Sequence, residues 1–178
     1  MAASVSLEMI YSDTNSQFLS LIEAHKGIIY KISNTYCRNP GDRQDLAQEI
    51  VLQLWKAFPK YNDDFKYSTW MYRIALNVAI SFYRKETTRS RIANPVHDEL
   101  LSIAEEGKQA EQDEKLFLLQ QFIAGLKDFD KALMLLYLEE KSTREMSEIM
   151  GITESNVLTK ISRIKKTLSQ KFSTLKKD

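Results

Sequence analysis

Apolar residues recur at intervals of three and four along most of the chain, the pattern of helices that bury one face. The first such face comprises Phe18, Leu21, Ile22, Ile28, Ile29 and Ile32. The sequence NPGD at residues 39–42 interrupts the pattern and opens a second helix, whose core face comprises Leu46, Ala47, Ile50, Val51, Leu54 and Phe58. A third helix is predicted from the sequence YSTW at 67–70, where Ser68 or Thr69 can cap it, to about Lys85.

The periodic pattern fades between residues 87 and 113, a segment with Pro95, Gly107 and scattered charges. This composition predicts a linker, with a short helical piece around residues 98–105. Periodicity returns after residue 113, and Asp128 or Asp130 is expected to cap the next helix. The chain is therefore predicted to be all-α: an N-terminal tail (1–15), a small helical bundle (16–88), a flexible linker (89–112) and a second small bundle (113–178).

Residues 145–168 have the pattern of a helix-turn-helix unit. Gly151 is predicted to supply the turn, because a side chain there would crowd the helix crossing, and Thr153 is a suitable cap for the last helix. One face of that helix comprises Val157, Ile161, Ile164 and Leu168. The opposite face comprises Ser155, Thr159, Ser162, Arg163 and Lys166, with Asn156 and Lys160 at one flank. Small polar groups followed by cations are typical of a DNA-recognition helix, the alternative being a solvated basic face.

Composition narrows the class of protein. The 178 residues carry a net charge of only +1, which conceals the basic character of the last helix. Cys37 is the one cysteine, so an intrachain disulfide and a cysteine-based zinc site are excluded, and a reducing cytoplasm is expected. The N-terminal sequence lacks the pattern of a signal peptide, and no apolar run has the length of a membrane span, so no membrane contact is predicted.

The second predicted helix carries an unexpected group of residues on the side opposite its core face: Asp45, Gln48, Glu49, Leu52 and Trp55. Leucine and tryptophan beside carboxylates on a solvent face indicate a protein-binding surface with an apolar centre and an acidic rim, suited to a basic partner. The alternative is that another helix of the same bundle covers Trp55.

The third predicted helix is apolar nearly all round. One face is assigned Met71, Ile74, Ala75 and Val78, and the other Tyr72, Arg73, Leu76, Asn77, Ile80 and Tyr83, followed by Arg84. The preceding loop contains Tyr61, Phe65 and Tyr67. Aromatic rings interleaved with cations suit the binding of unpaired bases, although such rings are more often part of a core.

Three stretches together resemble the extracytoplasmic-function (ECF) group of bacterial RNA polymerase sigma factors. They are DLAQEIVLQLW (45–55), YSTWMYRIALNVAISFYRK (67–85) and LLYLEEKSTREMSEIMGITESNVLTKISRIKKTL (135–168). The resemblance covers about residues 16–88 and 113–173. It implies a first domain that docks on core RNA polymerase and opens the minus-ten promoter element, and a second that reads the minus-thirty-five element. It also implies a linker that threads toward the polymerase active cleft, and an inhibitory anti-sigma protein as a further partner.

The resemblance also implies roles for individual residues. It assigns polymerase docking to Asp45, Gln48, Glu49, Leu52 and Trp55. It assigns minus-ten DNA binding to Lys66, Tyr67, Ser68, Thr69, Trp70, Arg73, Asn77 and Arg84. It assigns binding of minus-thirty-five DNA to Ser155, Asn156, Thr159, Lys160 and Arg163. The helical face pattern adds Ser162 and Lys166 to this site. The chain departs from the family pattern at Leu76, where arginine is frequent, at Ser81 and Ser147, and at Leu158, where a cation is common.

Two other classes of protein are the rivals. An enzyme is disfavoured because His25 and His97 are the only histidines, and neither a catalytic triad, metal-ligand spacing nor a phosphate-binding glycine loop is visible. We therefore expect no catalytic residue, metal or cofactor. The other rival is a stand-alone helix-turn-helix regulator whose first bundle dimerises or senses a ligand and which would bind DNA tightly without polymerase. A sensor domain would also enclose a pocket, for which three short helices leave little room.

Overall fold

The computed structural model describes residues 2–62, 65–93 and 112–175, and these residues contain seven α-helices, a 3-10 turn and no strand. The predicted all-α class is confirmed. The chain divides into two compact units, Met1–Ala79 and Ile80–Asp178, and the division falls within a helix. Residues 94–111, most of the predicted linker, lie outside the described part of the chain.

The first unit contains α1 (Ala2–Tyr36), α2 (Pro40–Ala57), a 3-10 turn (Phe58–Lys60) and the first half of α3 (Tyr67–Ala93). Asn39 caps α2, since its side-chain oxygen accepts a hydrogen bond from the Gly41 amide at 2.7 Å, and Pro40 occupies the first helical position. The Arg43 Nε donates to the Cys37 carbonyl at 2.9 Å and ties the start of α2 to the end of α1. The core comprises Phe18, Ile28, Ile29, Ile32, Leu46, Ile50, Leu54, Met71, Ala75 and Ala79.

Helix limits differ from the sequence prediction at three points. α1 begins at Ala2, so residues 2–15 are helical rather than a separate tail. α3 begins at Tyr67, which places Ser68 and Thr69 inside its first turn instead of at the capping position, and it continues to Ala93. Helix ends are set by capping geometry and tertiary packing, which the spacing of apolar residues does not report.

The second unit contains the rest of α3, α4 (Gln112–Ala124), α5 (Asp128–Leu138), α6 (Thr143–Met150) and α7 (Glu154–Leu175). Its core comprises Ala132, Leu133, Leu136, Met146, Ile149, Val157, Ile161, Ile164 and Leu168, which confirms the predicted buried face of the last helix. The expected cap at Asp128 or Asp130 is wrong. Lys127 occupies the capping position without a side-chain hydrogen bond, and both aspartates lie in the first turn of α5, where the helix dipole favours negative charge.

Side-chain caps and one glycine define the helix-turn-helix geometry. Ser142 and Glu145 form a reciprocal capping box at the start of α6. Gly151 ends α6 with a left-handed φ of 66°, and Thr153 Oγ1 then accepts from the Asn156 amide at 3.3 Å to cap α7. No heavy atom lies within 4 Å of the position that a Gly151 Cβ would occupy. The glycine is therefore required for its backbone conformation, not to relieve crowding.

Within the part of the chain that the structure describes, none of the helices combines the length and apolar character needed to cross a membrane.

We predict opposite effects of alanine at two unhindered glycines. Gly151→Ala is expected to destabilise the α6–α7 unit by about 1 kcal/mol, because a side chain is strained at this φ. Gly27→Ala is the matched control. Gly27 lies within α1 with no atom near its Cβ position, so alanine there should stabilise by about 0.5–1 kcal/mol. Hydrogen exchange of the backbone amides in each unit measures both effects. Equal protection in Gly151→Ala and wild type would contradict the strain.

Candidate functional site

A groove of about 970 Å³ runs between α1 and α2 in the first unit. Its walls are mostly apolar. The α1 wall comprises Asn15, Phe18, Leu19, Ile22, Glu23, Lys26, Ile29, Tyr30, Ser33 and Asn34, and the α2 wall comprises Pro40, Arg43, Gln44, Ala47, Gln48, Val51, Leu52 and Trp55. Three of the five residues predicted to bind polymerase, Gln48, Leu52 and Trp55, thus lie together on one wall.

Trp55 is both a packing residue and a surface residue. Its ring meets Phe18 edge-on, with the centroids 5.0 Å apart, yet 37% of the residue is exposed. Leu52, one turn earlier, is 44% exposed. Neither sequence interpretation of Trp55 is complete, because α1 covers one side of the ring and leaves the rest facing the groove. A surface of this kind has its apolar groups already ordered, which favours association with a partner.

The sequence predicted Phe18, Ile22 and Ile29 of the α1 wall as core residues but not the exposed residues of that wall. Leu19 and Tyr30 are 64% and 59% exposed and line the groove. Helical periodicity identified only the α1 face that forms the core. The signal that could have found these residues is large apolar side chains on the side of α1 away from that core.

The charges around the groove are mixed rather than purely acidic. Asp45 and Glu49 lie on α2 but do not line the groove, and Glu49 accepts a hydrogen bond from Gln53 at 2.7 Å. Lys26 and Arg43 do line it. Glu23, which accepts a hydrogen bond from Lys26, raises the pKa of that ammonium. Acidic residues therefore occur on both sides, at Glu23 in the α1 wall and at Asp45 and Glu49 beside the α2 wall.

The structure brings three aromatic residues of the predicted minus-ten surface together. The rings of Tyr61, Tyr67 and Trp70 lie with their centroids 5.1–5.4 Å apart, and His25 of α1 packs on Tyr67 at 5.3 Å. The Tyr61 hydroxyl donates to the Phe65 carbonyl at 3.1 Å, which anchors the loop before α3. This aromatic cluster is packed against α1 and is not a set of separate rings open to solvent.

The remaining minus-ten candidates of the first unit divide into exposed and buried groups. Lys66, Arg73 and Asn77 are exposed, and Ser68 is half-buried. Thr69 is only 6% exposed, so its side chain is not available to DNA in this conformation. Tyr72 and Leu76, assigned by the sequence to the same face as Asn77, are each 2% exposed and belong to the core.

In the second unit, α7 presents most of its predicted DNA-binding residues to solvent: Ser155, Asn156, Thr159, Ser162, Arg163 and Lys166. Lys160 is the exception. Its ammonium lies 3.9 Å from the Asp130 carboxylate and 5.2 Å from the centre of the Phe129 ring, so α5 holds it beside the bundle. Arg84, at the α3 end of this unit, lies 3.5 Å from Asp128 with its side chain largely exposed.

The Tyr67 hydroxyl gives a prediction that depends on pH. This oxygen is buried without a hydrogen-bond partner among the described residues. Burial, with a smaller contribution from Tyr61, raises its pKa to about 12. The folded state binds this proton more tightly than the unfolded chain, whose tyrosine pKa is about 10. The contribution of Tyr67 to the free energy of unfolding is therefore complete below pH 10 and declines as the pH rises toward 12. Tyr67→Phe should leave stability at pH 7 unchanged or slightly higher and should reduce that decline.

Urea unfolding of wild type and Tyr67→Phe at pH 7 and pH 11 measures the difference, with Tyr30→Phe as a control at an exposed tyrosine. A loss of more than about 1 kcal/mol at pH 7 in Tyr67→Phe would show that the hydroxyl has a bonding partner.

Family models match both units of the chain. Sigma-70 region 2 matches residues 21–89, and a sigma-70 region 4 model matches residues 116–168. The first match excludes the stand-alone regulator, because it assigns the first bundle to a sigma-factor domain and not to a dimerisation or sensor domain. The family consists of transcription initiation factors and is not a family of enzymes.

Relatives and solved structures agree with the models. The chain is 26% identical to the ECF RNA polymerase sigma factor SigW of Bacillus subtilis (strain 168), over 95% of this chain and 96% of that protein. It shares its fold with CnrH, solved in complex with the cytosolic domain of CnrY, at a TM-score of 0.65 and 17% identity over 90% of each chain. RpoE from Bartonella quintana, solved with the anti-sigma factor NepR, gives a TM-score of 0.64 at 17% identity, over 89% of this chain and 95% of that one. The order of the two matched regions and this full-length similarity place the chain in the ECF group of RNA polymerase sigma factors, the proteins that direct RNA polymerase to promoters.

Proposed function

We propose that the groove between α1 and α2 is the surface by which this sigma factor binds core RNA polymerase. The observation that carries the proposal is the pair of exposed apolar side chains, Leu52 and Trp55, on the wall of a large apolar groove. Such grooves receive one face of an amphipathic helix, with large side chains as anchors. Tryptophan is enriched among the residues that dominate binding energy, and Phe18 already fixes the orientation of this one.

The charges beside the groove set the orientation of the partner. Asp45 and Glu49 form an acidic side along α2, which favours a basic flank on the docking helix. Arg43 lies among the lining residues and favours an acidic or polar group there, whereas Lys26 is already paired with Glu23. A partner with both signs of charge on a helix is therefore held in one direction. These pairs act mainly on specificity and association rate, since exposed ion pairs contribute little net energy.

The proposed upstream contact is made by α7 in the major groove of the minus-thirty-five element. Its N-terminal half presents small hydrogen-bonding groups at Ser155, Asn156 and Thr159, which can read base edges. Arg163 and Lys166 follow on the exposed side and are placed to meet phosphates. Lys160 can contact phosphate only after it leaves Asp130. Its net contribution to the free energy of DNA binding is therefore reduced by the loss of that ion pair.

The minus-ten contact is proposed to form after docking, when the duplex opens. Phe65 is 41% exposed beside Lys66, which supplies a stacking ring next to a cation for an unpaired base. The packed cluster of Tyr61, Tyr67 and Trp70 holds that loop in place. Arg73 and Asn77, one turn apart and exposed on α3, supply the neighbouring polar contacts.

An anti-sigma protein is proposed as a further partner. RpoE, which shares this fold, was solved with the anti-sigma factor NepR. CnrH, which also shares it, was solved with the cytosolic domain of CnrY. A protein that filled the groove between α1 and α2 would compete directly with polymerase. We further infer that the chain acts in the cytoplasm, requires no metal or organic cofactor and catalyses no reaction of its own.

Removing the two groove anchors should weaken polymerase binding. The double variant Leu52→Ala, Trp55→Ala is expected to raise the Kd for core polymerase by roughly thirtyfold or more, the effect of losing an interface hot spot. Lys56→Gln is the control, because Lys56 lies exposed on α2 outside the groove lining. Fluorescence anisotropy of labelled chain titrated with core enzyme measures both. A folded double variant with wild-type affinity would remove the groove from the docking surface.

Removing single cations of α7 should change the salt dependence of promoter binding. Arg163→Ala and Lys166→Ala are each expected to lower the slope of log K against log salt concentration by about one in holoenzyme bound to a cognate promoter. Lys31→Ala, an exposed cation of α1, should leave the slope unchanged. If both α7 variants keep the wild-type slope and footprint, this face of α7 does not meet DNA.

A further inference from the structure

Leu158 is unusual on α7 because it is apolar and 60% exposed. The neighbouring apolar residues Val157, Ile161 and Ile164 are all buried. Among residues 154–173 of α7, Leu158 is the one large hydrophobic side chain that reaches this exposure. Single exposed leucines are common on protein surfaces, so exposure by itself indicates nothing, and the position of the residue decides what it can do.

Hydroxyl-bearing residues lie beside Leu158 on the exposed side of the helix. Ser155 lies three residues before it and Ser162 four residues after it, and the exposed Glu154, four residues before it, is the one long side chain among these neighbours. The Thr159 hydroxyl is turned back to donate to the Ser155 carbonyl at 2.9 Å. The isobutyl group therefore extends beyond these hydroxyls.

The helix that carries Leu158 is held firmly at this point. Thr153 caps its first turn, and Val157, immediately before Leu158, is completely buried in the core of the unit. A side chain on such a support is presented at a fixed depth and angle. A group that reaches base edges from the major groove needs this precision, because discrimination among bases depends on sub-ångström placement.

We propose that Leu158 contacts the C5-methyl group of a thymine in the minus-thirty-five element and so selects a T·A pair at one position. The thymine methyl is the apolar feature of the major-groove edge, and aliphatic side chains recognise it by contact. The inference rests on the proposed role of α7 and adds to it an apolar contact with the thymine methyl, which hydroxyl and amide groups do not make. The exposed neighbours one helical turn away, Glu154, Ser155 and Ser162, are all polar, which disfavours an apolar protein partner, whose interface would have an apolar centre.

Replacing thymine by uracil tests the contact, since it removes only the methyl group. A duplex library randomised across the upstream element is first selected with wild-type holoenzyme, and each selected thymine is then replaced by uracil. Wild type is expected to lose about fourfold in affinity at one thymine, the value of one buried methyl group. Leu158→Ala should bind the thymine duplex about fourfold more weakly and should not distinguish thymine from uracil at that position. Leu158→Met, which keeps a long apolar side chain, should retain the discrimination.

The remaining outcomes separate this inference from the function on which it rests. Equal sensitivity to uracil in wild type and Leu158→Ala would assign the methyl contact to another group and overturn the proposal. Weaker binding of Leu158→Ala to core polymerase, with unchanged base preference, would place Leu158 in a protein interface and also overturn it. If wild-type holoenzyme selects no upstream sequence, the role of α7 as a recognition helix fails together with the inference.

Discussion

The packing of Phe18 is the interaction on which the N-terminal functional surface depends. Its ring, 4% exposed, meets Trp55 and Phe58 edge-on at 5.0 and 5.3 Å. These contacts join α1 to the last turn of α2 and so fix the separation of the two groove walls. They also restrict Trp55 to one orientation without covering it. Ordering that indole within the free protein removes part of the entropic cost that a partner would otherwise have to overcome.

In the second unit, the burial of one face of α7 determines which of its side chains are exposed. α7 must bury one continuous stripe, from Val157 to Leu168, and this requirement turns its hydroxyls and most of its cations outward. The capping box at Ser142, the left-handed Gly151 and the Thr153 cap fix where α6 stops and α7 starts. A one-residue change at this junction would rotate α7 by about 100° and exchange its buried and exposed faces. The junction therefore determines which side chains can meet DNA.

Sequence patterns predicted α7 well and α3 poorly, for a physical reason. On α7 the apolar stripe is narrow and everything else is polar, so periodicity alone separates the faces. α3 is apolar nearly all round, and spacing cannot tell a core leucine from a surface one. Tyr72, Leu76 and Thr69 were assigned to a functional face and are buried. Leu76 is therefore a core residue of this chain and does not face solvent.

Other features that the sequence did not predict depend on contacts between residues far apart in the chain. Lys160 is drawn aside by Asp130 and Phe129 of α5, and the groove needs a second wall from α1. Neither fact is encoded in the spacing of one helix. The resemblance to sigma factors found the α2 wall because its residues are contiguous in a motif. It left out Leu19 and Tyr30, which contribute exposed apolar surface on α1.

We propose that one chain uses the α1–α2 groove for polymerase and α7 for DNA. Site-specific photocrosslinking in an assembled holoenzyme–promoter complex tests this division of roles, with a photoreactive residue placed at Gln48 in the groove wall or at Ser155 on α7. The probe at Gln48 should label a polymerase subunit, and the probe at Ser155 should label the upstream promoter DNA. Labelling of DNA from Gln48, or of polymerase alone from Ser155, would contradict it.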